Sequence, residues 1–265
     1  MITYRQLTSI EEMEEVYQLE KRIWQTEIVP THQTLTSIRN GGLMVGAYAG
    51  EKLIGFSYSF PGYKDGHVFL CSHMLGIDHA YRSKGIGEQL KQKQKELALK
   101  QGYTLMRWTF DPLETRNAYL NIHKLASRSS TYIENCYGDL ADGLNAGLPT
   151  DRLEVEWHLT EEPKDHSMLE AISLNESSYH TSGYLTFTEK DILIEDNHVY
   201  RFFIPKDFQA MKEKAPKQAL KWRLHVRDLC QSLFKHGYEL VDVSNEDDKV
   251  AYIFTDRKDT KADED

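Results

Sequence analysis

Between an apolar run that ends at Ile77 and a helical run that begins near Gly87, the chain places Arg82, Gly85 and Gly87 in the spacing Arg-x-x-Gly-x-Gly. A strand that hands over to a helix through two glycines and a basic residue has few ways to close. Glycine permits close backbone approach, the amides of a helix's first turn lack intrahelical partners, and the helix dipole favours negative charge there. The segment Arg82-Ser83-Lys84-Gly85-Ile86-Gly87 therefore reads as a cradle for phosphate or pyrophosphate, with Arg82 and Lys84 adding positive charge. A tight strand-to-helix turn with a solvated basic rim fits the same residues.

Around this turn the pattern switches between periods of two and 3.6. Residues 2–7 predict a short strand, and Ser9 caps a helix through residue 25 with Met13, Val16, Leu19 and Ile23 on its apolar face. A second helix starts at Thr31 or Thr34 and stops at Asn40-Gly41-Gly42. Residues 43–49 and 52–61 flank Gly50-Glu51 as an antiparallel hairpin. A long strand at 67–77, a helix at 87–100, a strand at 103–110 broken by Asp111-Pro112, and a helix at 115–126 complete this part. The charged, proline-containing stretch at 160–165 marks a linker. Beyond it come a strand pair at 184–194 and 198–204, a helix at 216–236, and strands at 238–243 and 249–254. The fold class is α+β, with a first domain over 1–160, a smaller C-terminal α+β domain over 161–255, and a charged tail over 256–265 expected to be disordered.

A chain of 265 residues can bury a core in each of two domains. Acidic residues outnumber basic ones 41 to 32, a formal net charge of -9, so the chain lacks the broad positive field that nonspecific nucleic-acid binding needs. No apolar run approaches a membrane span, and the first residues carry no signal-peptide core, so neither nucleic acid nor membrane is an expected partner. Cys71, Cys136 and Cys230 are far apart and form no CxxC pair, which argues against a disulfide framework or a zinc site and favours a cytoplasmic location. No metal is expected, and oligomeric state has no signature here.

The element order β-α-α-β-β-β-α-β-α, with the Arg82 to Gly87 turn after the fourth strand, resembles the GNAT superfamily of acyl-CoA-dependent N-acyltransferases over about residues 1–160. Where the family's fourth strand ends in an apolar-x-Val stretch, this chain has Leu75-Gly76-Ile77-Asp78. The resemblance implies a GNAT fold, a central mixed and mostly antiparallel sheet flanked by helices, with acetyl-CoA or another acyl-CoA as co-substrate. It implies that Arg82 and the amides of Ser83, Lys84, Gly85, Ile86 and Gly87 hold the CoA pyrophosphate. Backbone groups of Leu75 and Ile77 would pair with the pantetheine arm as an added strand, and Asn117 would hydrogen-bond it. Trp108-Thr109-Phe110-Asp111-Pro112, Tyr137-Gly138 and the run from Leu144 to Arg152 are similar to a bacterial branch of the superfamily with an appended C-terminal region. Some of its members are thought to occur near enzymes of N-succinylamino acid metabolism, which implies amino-acid N-acylation.

The chain departs from the family where the chemistry is done. Many GNAT enzymes place a Glu six residues before the apolar end of the fourth strand, and here that position is Cys71. His73 lies two residues on, on the same face by the period of two, and a near-neutral imidazole can deprotonate an ammonium; a histidine satisfied at the edge of the core is equally compatible. Asp78 offers a second base, or simply caps the turn. The family's frequent Tyr acid is replaced by Ile122, so another phenol would have to protonate a leaving thiolate: Tyr119, one helical turn earlier, or Tyr132 or Tyr137 beyond it, each of which also reads as a packing aromatic. In the second domain Arg223 and Arg227 stand one turn apart beside Trp222 and can clamp a substrate carboxylate, or serve as solvated surface or structural ion pairs. The expected activity is transfer of an acyl group, acetyl or succinyl, from acyl-CoA to a small-molecule amine such as an amino acid. The alternative is a CoA-binding regulatory or protein-interaction module that kept the cradle and lost the base.

Overall fold

The structure, a computed structural model, describes residues 1–24, 29–138, 147–164, 166, 169–180, 183–190 and 193–257. The chain divides into two compact units, one of Met1–Trp108 with Trp157–Glu161, the other of Thr109–Glu156 with Glu162–Asp265. That division differs from a single cut near residue 160, because the chain leaves the first unit after Trp108 and returns to it only at Trp157.

In the first unit, β1 (Ile2–Gln6) leads into α1 (Ile10–Trp24), followed by α2 (Thr31–Arg39), β2 (Leu43–Ala49), β3 (Lys52–Lys64), β4 (His67–Ile77), α3 (Ile86–Lys100) and β5 (Leu105–Phe110), whose last two residues belong to the second unit. Ser9 starts α1 with a reciprocal cap: the Glu12 amide donates to Ser9 Oγ at 3.2 Å and the Ser9 amide to Glu12 Oε2 at 3.0 Å. The strands follow the order β1-β2-β3-β4-β5, antiparallel through β4 and parallel between β4 and β5. One face buries Leu7, Met13, Val16, Leu19, Met44 and Phe56, which include the apolar stripe of α1. The other buries Val45, Ala47, Ile54, Ile86 and Leu90 beneath α3. Each of the Leu, Ile, Val, Met and Phe side chains contributes roughly 1.5–3 kcal/mol.

In the second unit, α4 (Thr115–Ala118), β6 (Arg128–Ile133), β7 (Arg152–His158), β8 (Ile172–Ser173), β9 (Asn175–Tyr179), β10 (Leu185–Glu189), β11 (Tyr200–Pro205), α5 (Phe208–Lys214), α6 (Pro216–Lys235), β12 (Tyr238–Glu246) and β13 (Lys249–Asp256) follow in turn, the last two residues of β7 counting with the first unit. The strands run β7-β6-β12-β13-β11-β8, with β9 and β10 as a separate hairpin.

Three expectations are corrected here. The helix expected over 115–126 is only the short α4, followed by a π-helical turn over Tyr119–Lys124 in which the Leu125 amide reaches back to the Leu120 carbonyl. Strands 184–194 and 198–204 do not pair: β10 pairs with β9, while β11 lies between β13 and β8. The near-continuous apolar run of β11 suits an interior strand with neighbours on both sides, whereas the exposed outer residues of β10 suit a hairpin. Asp256, assigned to the charged tail, instead ends β13 and is 3% exposed, while 258–265 lie outside the described residues. Among the described residues no helix is long and apolar enough to cross a membrane.

Candidate active site

β4 and β5 pair only at Leu70 with Met106 and Cys71 with Arg107. Beyond Cys71, β4 continues to Ile77 with β3 on one side and no ladder partner on the side of β5 among the described residues. Backbone donors and acceptors left open in this way invite another extended chain. A β-bulge marks the same place: Tyr58 pairs with Met74 and Ser59 with Ser72, which makes His73 the extra residue of β4. His73 is exposed, but its ring packs edge-on against Phe60 at 5.6 Å and Tyr58 at 6.3 Å. Loss of water around the ring lowers its pKa.

At the far end of β4 the chain makes a short 3-10 turn over His79–Tyr81 before α3. Asp78 caps it, accepting from the Ala80 amide at 3.1 Å and pairing with Lys52 at 3.2 Å; that amide, ahead of Lys52, holds its carboxyl below the usual range. This commitment makes Asp78 a turn cap and a poor base. Ser83 takes φ of 62° and Gly85 φ of 74°, left-handed geometry that glycine adopts without strain. Gly85 occupies the N-cap of α3 with open space in front of it, and the Gln89 amide makes the first helical bond, to Gly85 O at 3.2 Å. The amides of Ile86 and Gly87 therefore have no intrahelical acceptor and point out of the helix end. Arg82 Nε donates to Ile77 O at 3.3 Å and Lys84 Nζ to Ala80 O at 3.3 Å, and both side chains are exposed. Open amides, a helix N-terminus and two cations on a glycine turn fit a diphosphate.

Residues 10–121 match the model of the acetyltransferase (GNAT) family. Over these residues the chain is similar to a GNAT acetyltransferase domain. Among solved structures similar in fold, the ribosomal-protein-S18-alanine N-acetyltransferase from Escherichia coli is 14% identical, with a TM-score of 0.48 over 64% of this chain and 99% of its own. An aminoglycoside 6'-acetyltransferase type Ii is 16% identical, with a TM-score of 0.48 over 62% of this chain and 99% of its own. The IAA acetyltransferase from Bacillus cereus is 15% identical, with a TM-score of 0.46 over 59% of this chain and 98% of its own. No curated protein matches the sequence.

Two buried charges in the first unit escaped the sequence reading. Glu20 of α1 is 1% exposed, its Oε2 has no hydrogen-bond partner among the described residues, and desolvation pushes its carboxyl up to about 7. Lys91 of α3 is 2% exposed; its Nζ donates to Ser72 Oγ at 2.8 Å and sits 3.5 Å from the Trp108 ring centre. Burial lowers the Lys91 ammonium to about 7. The signal was present in helical spacing. Glu20 falls in the stripe Met13, Val16, Glu20, Ile23, and Lys91 in the stripe Gly87, Lys91, Gln94, Ala98, all of them buried.

The remaining candidates lie in the second unit. Asn117 is exposed on α4. Tyr119 stacks on His123 with ring centres 4.6 Å apart and, with Glu114, Arg116, Lys206 and Phe208, lines a cavity of about 570 Å³. Arg223 and Arg227 are not an open clamp. Arg223 is 2% exposed and bidentate to Asp111, at 2.8 and 2.6 Å. Arg227 is bidentate to the buried Asp151, at 2.9 Å twice, and also reaches Glu134 at 2.9 Å. Both guanidinium groups are held by internal carboxylates far away in sequence, although the buried Arg223 Nε has no hydrogen-bond partner among the described residues. Trp222 is fully buried, with Nε1 donating to Leu185 O at 2.9 Å.

Proposed function

We propose that this chain transfers an acyl group from acyl-CoA to the amine of a small molecule, with amino acids as the acceptor class. The observation that supports it is the coincidence on β4 of an open backbone edge with an anion cradle at its end. From Ile77 back to His73 is four residues, roughly 13 Å at about 3.3 Å per residue, a span suited to a pantetheine arm whose diphosphate rests at Gly85. Leu75 and Ile77 would offer it their backbone groups.

On this reading His73 stands beside the thioester and takes a proton from the acceptor ammonium, directly or through one water. The amine nitrogen then bonds to the thioester carbonyl carbon, the carbon-sulfur bond breaks, and the second proton that the nitrogen sheds on becoming an amide balances the one the departing thiolate takes up. No covalent enzyme intermediate is needed, and positioning supplies much of the rate. Cys71 at the strand position where many relatives carry Glu favours a second reading, a CoA-binding module without turnover.

Calorimetric titration with CoA and acetyl-CoA, alongside thiol release in the presence of amines, tests both. Gly85→Asp should weaken CoA binding at least a hundredfold, because it brings a carboxylate to the diphosphate site; its side chain meets no atom, and although φ of 74° makes the substitution somewhat strained, aspartate is among the residues that tolerate this region and the variant should still fold. Equal binding by the folded variant would remove the cradle. Binding without thiol release would favour the second reading.

A further inference from the structure

We propose that His225 is a proton-operated latch: while its ring is neutral it seats the β9–β10 hairpin on α6 and β11, and when the ring takes up a proton the hairpin comes away.

Little else holds the hairpin. β9 and β10 pair with each other and, among the described residues, with no other strand. A two-stranded ribbon is at best marginally stable in water by itself. Its order therefore depends on the few contacts that reach out of it, and these meet at α6. Trp222 Nε1 donates to Leu185 O at 2.9 Å. The Phe187 ring lies flat on His225, with centres 3.8 Å and planes 7° apart, and tilts against Trp222 at 4.7 Å. His225 itself is 4% exposed and reaches both strands: Nε2 is 3.1 Å from Asn175 Nδ2 of β9, and Nδ1 is 3.3 Å from Glu189 Oε1 of β10.

Asn175 fixes where the ring carries its proton. It is fully buried, and its amide cannot be turned over, because the Phe203 amide donates to Oδ1 at 2.8 Å while Nδ2 donates to the Phe203 carbonyl at 3.0 Å. Nδ2 thus presents its second N–H to His225, and Nε2 must meet it with a lone pair. The single ring proton then sits on Nδ1, facing Glu189. A second proton on Nε2 would set two N–H groups against each other at a buried position, and Asn175 cannot yield without giving up both bonds to β11. The ring has to move, and with it goes the surface on which Phe187 lies.

Neighbouring charges do not offset this. Glu189 on β10 and Asp228 on α6 favour the protonated ring, but the Glu189 side chain is 73% exposed and its charge is screened by water. Burial outweighs both and lowers the His225 pKa. With the hairpin open the ring is wet and binds its proton more readily, so the closed form loses stability as pH falls below about 6.5, the ordinary histidine value.

Hydrogen exchange of the full chain, read on peptides that carry β9 and β10 and corrected for the intrinsic effect of pH, tests this between about pH 7.5 and 5.5, a range above the ordinary carboxylate values. The wild-type hairpin should lose about three- to tenfold in protection across that range, the effect of one proton taken up on opening, while β12 and β13 keep theirs. His225→Phe retains a ring beneath Phe187 and removes the titration, so its hairpin should be equally protected at both ends of the range. His225→Gln, whose Oε1 can accept from Asn175, is the second variant if the first does not fold. Ring-nitrogen NMR shifts add a reading that mere packing would not move, and should show the Nδ1–H tautomer at the upper pH. Equal protection of the wild-type hairpin at both pH values would overturn the proposal, as would an Nε2–H tautomer. A loss of protection that persists in both variants would assign the effect to another group, such as His180 stacked on Tyr184 at 4.8 Å, and would overturn it equally.

Discussion

His73 stands at the bulge of β4, where one extra residue turns its ring against Tyr58 and Phe60 and removes part of its water. The ring accordingly holds its proton less tightly than a free imidazole and is neutral at pH 7, the form a base requires. If it is the base, His73→Ala should lower turnover about 10²- to 10⁴-fold and change acyl-CoA binding little. The sign of the pH effect follows: wild-type rate falls as acid protonates the imidazole, and the variant should lose that limb and recover rate only as rising pH deprotonates the free amine. Steady-state profiles decide it, and a pH dependence untouched by the substitution would remove His73 from the chemistry. The sequence could place His73 near the vacant Glu position by alternation alone, but not the bulge, which breaks the alternation. Glu20 and Lys91 were legible as charges on buried helical stripes, though nothing in the sequence says that each lacks a partner of opposite sign. Because the Glu20 carboxyl is raised to about 7, the native chain holds more protons than the unfolded one between the ordinary carboxyl range and pH 7, so Glu20 costs stability as pH rises through that window.

Among the elements, α6 shows how far a helix can be read from its own residues. Its span was evident from periodicity, and so was the common face of Arg223 and Arg227. Their partners were not, since Asp111 lies 112 positions from Arg223 and Asp151 lies 76 from Arg227. Burial then decides between clamp and ion pair: an arginine at 2% exposure is retained by the carboxylate opposite it. Arg223→Met should destabilise the second unit by roughly 3–5 kcal/mol, since it leaves Asp111 buried with its main counter-charge gone. Adding Asp111→Asn should recover much of that loss. Denaturant titration of the single and double variants provides the check, and a single variant as stable as the wild type would mean the pair is dispensable. The β9–β10 hairpin was missed for a related reason. Asn175 bonds both the amide and the carbonyl of Phe203, so β9 meets β11 through a side chain that no alternation pattern reveals.

For the whole molecule, the linker-like composition at 160–165 suggested a boundary that the tertiary contacts draw elsewhere. Composition reports where a chain is polar; which segments pack together depends on pairings distant in sequence. Trp157 packs edge-on against Trp108 with ring centres 6.3 Å apart and lies 5.3 Å from Lys95, and the Leu159 amide donates to Thr104 O at 2.8 Å. A chain ending at Trp108 should therefore lack a cooperative thermal transition, because it cannot bury Trp108 or close the segment at Thr104. Circular dichroism melting tests this, and a sharp transition in the shortened chain would show that the return at Trp157–Glu161 is ornamental. The return also matters while the protein is being made. When Trp108 leaves the ribosome its packing partner does not yet exist, and all of Thr109–Glu156 must be synthesised first. At about 5–20 residues per second the nascent chain waits roughly 2–10 s with that tryptophan uncovered, a window in which a chaperone or a neighbouring nascent chain competes for the same surface.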